Sequence, residues 1–121
     1  MIRIELPWPD SALLPNRRNG KHWASLHGAK TTARTTGYAL ALASIPKDWV
    51  KPEGRVPLKI FFYPPDKRRR DADGALSSLK HALDGISQAV GIDDSNFMPI
   101  TIDFREPVKG GKVVVELGGM E

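Results

Sequence analysis

The sequence predicts an α/β (α+β) fold in which a small mixed β-sheet of about four strands carries two main helices, and three observations support it. Residues 2–6 alternate apolar with charged, and residues 56–63 form a β-branched and aromatic run, so both read as strands. Apolar residues recur at three-four spacing from Ala72 to Val90, the pattern of an amphipathic helix. Two further apolar runs flank Gly110-Gly111, which gives the order β-α-β-α-β-β.

Taken in order, Ile2, Ile4 and Leu6 alternate with Arg3 and Glu5 until Pro7-Trp8-Pro9 stops the run, as a strand near a sheet edge would. Residues 10–23 mix Asp, Ser, Pro, Asn, Gly and basic residues without periodicity and read as a long loop, a possible functional element. Ala33, Tyr38, Leu40, Ala41, Leu42 and Ile45 predict a helix over 29–45, weakened by its threonines and closed by Pro46. Pro64-Pro65 must end the second strand. The long helix over 72–90 follows, and residues 98–105 and 113–117 read as a hairpin closed by Lys109-Gly110-Gly111-Lys112.

A chain of 121 residues is the size of one domain, so residues 1–121 are read as a single unit. Cysteine is absent, which excludes disulfides and thiolate metal sites and fits a reducing, cytoplasmic setting. No apolar stretch approaches the roughly 20 residues of a membrane span, so no membrane partner is expected. Eighteen Lys and Arg against fourteen Asp and Glu give a net charge of +4 and a pI near 9.6, which favours polyanionic partners. The basic residues gather at Arg17, Arg18 and Lys21, at Lys67 to Arg70, and at Lys109 and Lys112.

Arg68-Arg69-Arg70-Asp71-Ala72-Asp73 sets carboxylates beside guanidinium groups where the second strand gives way to the long helix. One aspartate there is explained by helix capping; two, preceded by three arginines, fit a site that holds a hard cation beside phosphate. Asp94, with Asp93 adjacent, follows the same helix, and a straight helix of ~18 residues is roughly 27 Å long. Either the chain folds back or a second subunit supplies that carboxylate. Lys80 lies two turns past Asp73 on one stripe, able to reach back to a phosphate or to pair with Asp84.

Leu6-Pro7-Trp8-Pro9, Pro64-Pro65-Asp66, the Arg68 to Asp73 run, Lys80 with Leu83-Asp84-Gly85, and Gly91-Ile92-Asp93-Asp94 together resemble the RusA family of crossover-junction endodeoxyribonucleases, which resolve Holliday junctions. The resemblance covers nearly the whole chain. It implies a homodimer, encoded by a bacterial or prophage genome, that binds branched four-way DNA in recombination and repair and makes paired symmetric nicks with Mg2+, for which Mn2+ could substitute. By position it places the metal ligands on Asp71, Asp73 and Asp94 and the catalytic lysine on Lys80. Arg68, Arg69, Arg70, Arg17, Arg18 and Lys21 are then expected on DNA. The chain departs from the family pattern at Gly74, where Asn is common, and in a lysine one turn further along.

Two rivals remain at this level: a DNA-binding module without catalysis, and a different Mg2+ nuclease acting on flaps or RNA. His22, His27 and His81 stand singly and read as surface or packing residues rather than ligands. Trp8, Trp23 and Trp49 pose a similar choice: Trp8 reads as a core residue, whereas Trp23 among basic residues could stack on a base.

Overall fold

Alternation and β-branching in the sequence become one sheet with helices on a single face. The structure, a computed structural model, describes residues 1–14 and 23–118. Its elements are β1 (Ile2–Pro7), a 3-10 turn (Ser11–Leu13), α1 (Trp23–Ser44), β2 (Val56–Tyr63), α2 (Ala72–Ser78), α3 (Lys80–Val90), a second 3-10 turn (Asp94–Asn96), β3 (Phe97–Phe104) and β4 (Lys112–Leu117). This is a mixed α+β fold, with a four-stranded sheet as expected and three α-helices where two were expected.

The strand order is β1-β4-β2-β3, so β1 lies at an edge as its sequence suggested. β4 runs antiparallel to both β1 and β2, and β2 runs parallel to β3. The expected hairpin between the last two strands does not form, because β2 lies between them. No residue of β2 is fully exposed, and a strand half-covered or better along its whole length gains most with a neighbour on each side. The chain after β3 therefore crosses the end of β2, where the Arg105 amide donates to the Phe62 carbonyl at 2.8 Å and the Val108 amide to the Pro64 carbonyl at 2.9 Å. The glycines expected to close a hairpin, at φ 79° and 71°, instead turn this wider connection into β4. β3 reaches its parallel place through the α2–α3 crossover, the kind of connection parallel neighbours require.

The single helix expected over 72–90 breaks at Leu79 (φ −94°, ψ −4°). The Leu79 amide bonds back three residues to the Leu76 carbonyl at 3.1 Å, and the Ser78 hydroxyl donates to the Ala75 carbonyl at 2.6 Å. A serine hydroxyl that bonds back into its own helix is a known cause of bending, and Gly74 adds little resistance. α1 begins six residues before the expected Ala29, since packing against α3 outweighs its threonines. That packing is close: a Cβ on Gly37 would lie 2.3 Å from the Ala82 carbonyl oxygen.

The core is written in rows across the sheet. Ile4, Val115 and Ile60 are paired in register with Ile102, and Leu6, Val113 and Phe62 with Phe104. Ile4, Leu6, Ile60, Phe62, Val113 and Val115 meet Ala75, Leu79, Ala82, Ile86 and Val90 from α2 and α3 and Ala41 from α1 in one cluster, with Ile102 packed against it and the exposed Phe104 stacked on Phe62. The other sheet face is charged, with Lys112 Nζ 3.1 Å from Glu5 Oε1 and Arg105 over the Phe61 ring. No helix among the described residues is long and apolar enough to cross a membrane.

Candidate functional site

Three chain segments meet at the end of the sheet where β1 and β2 stop. Pro7 and Pro9 flank Trp8, Pro64-Pro65 ends β2, and the chain then climbs through the arginine run into α2. Between them lies an open groove of about 890 Å³, lined by Trp8, Phe62 and Pro65 on one side and by Arg68, Arg69, Arg70, Asp71 and Asp73 on the other. The sequence neighbours predicted to act together thus line one cavity of ligand-binding size.

The two aspartates divide their work. Asp71 is the N-cap of α2, its Oδ1 accepting from the Gly74 amide at 2.8 Å. A Cβ at Gly74 would lie 2.7 Å from Asp71 Oδ1, so a larger residue there requires the carboxylate to shift. Asp73, exposed in the first turn, spends its carboxylate on no hydrogen bond or ion pair with the described residues.

Asp66 organises the arginines and was missed as a site residue in the sequence. Its carboxylate accepts from the Arg68 amide at 2.9 Å and pairs with Arg68 Nε at 3.3 Å and Arg70 Nη2 at 2.9 Å. The Arg68 amide holds this carboxyl below the ordinary carboxylate range. The signal was legible in principle: an aspartate after Pro-Pro, two and four residues before basic side chains, is a turn former with partners in reach. Trp8, expected in the core, packs edge-on against Phe62 at 6.1 Å and also walls the groove, with the Arg70 guanidinium 5.3 Å from its ring centroid.

Other predicted residues lie elsewhere. Lys80 opens α3 and is exposed; the break at Leu79 removes the continuous stripe on which its seven-residue spacing was read, and it forms no ion pair with Asp84. Asp94 begins the 3-10 turn beyond α3, and it does not line the groove. Its neighbour Asp93 caps that turn, accepting from the Ser95 amide at 3.1 Å, which keeps it below the ordinary carboxylate range. Among the described residues no three His, Asp or Glu side chains come together to hold a metal ion. Arg17, Arg18, Lys21 and His22 lie outside the described residues.

Trp49 packs against the core. His81 faces the packing between α3 and α1, its Nδ1 buried without a partner. Burial first, then Lys30, pushes its pKa below the usual imidazole value. A depressed imidazole binds protons less readily folded than unfolded, so stability is full above about pH 6.5 and falls as acid titrates the unfolded chain. Urea midpoints measured from pH 7.5 to 5 fall accordingly, and His81→Gln flattens that slope; an unchanged slope refutes the assignment.

The chain is 37% identical over 128 aligned residues to an uncharacterized protein of Xylella fastidiosa (strain Temecula1), a match that covers 99% of this chain and 78% of that protein. No family model matches the chain. At that identity and coverage, the chain belongs to the same family as the Xylella fastidiosa protein.

Proposed function

We propose that this chain is a Mg2+-dependent, structure-specific DNA endonuclease of the RusA type, acting in the bacterial cytoplasm as a homodimer that cuts four-way junctions by paired symmetric nicks. One observation carries the reading: the uncommitted Asp73 carboxylate and the Arg68 to Arg70 guanidinium groups line the same open groove, with Asp71 between them. An acid beside a base on a surface would ordinarily pair with it. Here Arg68 and Arg70 are held by Asp66 instead, and Asp73 keeps its carboxylate free of ion pairs.

The groove offers hard carboxylate oxygens and neither thiol nor imidazole, a donor set suited to Mg2+ or Mn2+. Asp71 and Asp73 would hold the ion, with water and substrate phosphate oxygens completing its shell. Bound there, it would supply an activated water and offset charge on the phosphate. In a two-fold dimer, Asp94 of the second subunit could add a third carboxylate, consistent with the two equivalent strands of a junction. Arginine grips phosphate from the groove rim. Lys80, exposed at the start of α3, would approach a bound phosphate from outside the groove lining, where its ammonium would offset developing charge.

The test is cleavage of a mobile four-way junction with and without Mg2+, in competition with flaps and RNA. Symmetric nicks on the junction that vanish with chelation support the reading; preferred cutting of flaps or RNA replaces it. A second reading, a DNA-binding module without catalysis, is favoured by the exposed position of Lys80 outside the groove lining. Intact junction under saturating binding would establish it.

A further inference from the structure

Three consecutive arginines suggest one shared role, but their surroundings differ. Arg70 is the most engaged: Nη2 pairs with Asp66 Oδ1 at 2.9 Å, and Nη1 donates to the Asp66 carbonyl at 3.3 Å and the Arg68 carbonyl at 2.9 Å. Its side chain is 21% exposed, against 75% for Arg68. The Trp8 ring beside it is itself held, because Gly111 packs so tightly that a Cβ there would lie 3.0 Å from both Trp8 Cγ and Pro65 Cδ. Arg68 is tethered through Nε alone, at 3.3 Å. Arg69 lines the groove, is exposed, and makes no hydrogen bond or ion pair with the described residues.

A guanidinium has five N–H donors, and those already spent on fixed acceptors cannot be offered to phosphate without breaking them. Arg70 immediately precedes the Asp71 cap, so holding Arg70 also fixes the path on which the chain enters α2. We propose that Asp66 is a positioning residue that divides the arginines: it locks Arg70 against Trp8 as the scaffold of the carboxylate site and leaves Arg69 as the principal phosphate-contacting cation. The division rests on the reading of the groove as a phosphate site.

Junction affinity and single-turnover cleavage are measured across a salt series for wild type, Arg69→Gln, Asp66→Asn and Asp66→Glu. Arg69→Gln weakens binding and lowers the slope of log K against log salt by about one, the loss of one phosphate contact. Asp66→Asn keeps or raises that slope, since it frees a cation, while cleavage of saturated junction falls by about 10–100-fold, as when the support of a site residue is lost. Asp66→Glu recovers part of the cleavage, which a general loss of folding would not allow. In the wild type, hindered rotation of the Arg70 guanidinium and free rotation of Arg69 in 15N spectra report the arrangement without any variant.

Arg69→Gln with the wild-type slope, Asp66→Asn with wild-type cleavage, or a freely rotating Arg70 overturns the proposal. Wild-type protein that binds junction DNA without cutting it refutes the nuclease reading alone, and the slopes and the arginine spectra then still decide the division of roles.

Discussion

Asp73→Asn protein binds a four-way junction at least as tightly as wild type and does not cut it. The carboxylate makes no contact with the described residues and caps nothing, so its replacement by a near-isosteric amide leaves α2 intact. What changes is charge: an anion that repels phosphate disappears, and a hard oxygen ligand weakens. Losing an outer-shell partner of a metal costs about 10–100-fold in affinity or activity, and losing a direct ligand costs more than about 100-fold. Asp71→Asn is the less clean experiment, because it also perturbs the cap on Gly74 and about 1 kcal/mol of helix stability. Gel-shift affinity and single-turnover cleavage, measured together with a thermal melt, decide the matter. Loss of binding along with the melting transition would make Asp73 a structural residue and remove the central support of the functional proposal.

Gly85→Ala destabilises the fold while Gly28→Ala stabilises it, although both glycines lie in helices. A Cβ on Gly85 would lie 2.1 Å from the Arg34 carbonyl oxygen and 2.8 Å from the Tyr38 amide nitrogen, and both obstacles are backbone. Neither can rotate away. α1 and α3 must separate, which opens the packing around Ala41 and Ala82 in the core. Overpacking typically costs about 1–3 kcal/mol, and here the gain in helix propensity of about 1 kcal/mol only partly offsets a rigid clash. A net loss of about 2 kcal/mol is expected in urea unfolding. A Cβ on Gly28 meets nothing within 4 Å, so only the propensity gain remains and the midpoint rises. A rise for Gly85→Ala would mean that the two helices do not touch at this point.

Local signals in the sequence carried over well where the deciding forces are local. The alternation of Ile2, Ile4 and Leu6 and the β-branched run ending at Pro64 gave β1 and β2 almost to the residue, because Pro7 and Pro9 close the first run and Pro64-Pro65 the second. Capping, which explains one of the two aspartates, is what Asp71 does in α2, while the ligand role expected of both is a proposal. The hairpin failed because Gly110-Gly111 specifies a turn but not which strand lies across it; that choice belongs to β2, whose two neighbours are decided by burial. The break at Leu79 was missed because the apolar spacing of 72–90 continues through it, and only the serine hydroxyl bond to the Ala75 carbonyl reveals the bend. Asp66 was hidden for a similar reason. Its importance lies in partners two and four residues away on an irregular segment, where no periodicity exists to point at it.

The strand order has a consequence for how the molecule assembles. β1 is made early, yet its one neighbour in the sheet is β4, more than a hundred residues later in the chain. Until residue 112 emerges from the ribosome, the first strand has a greasy flank and an open row of amides with no lawful mate. Closure over so long a span makes the fold a slow one by topology, and any product truncated before that point carries a sticky edge at β1.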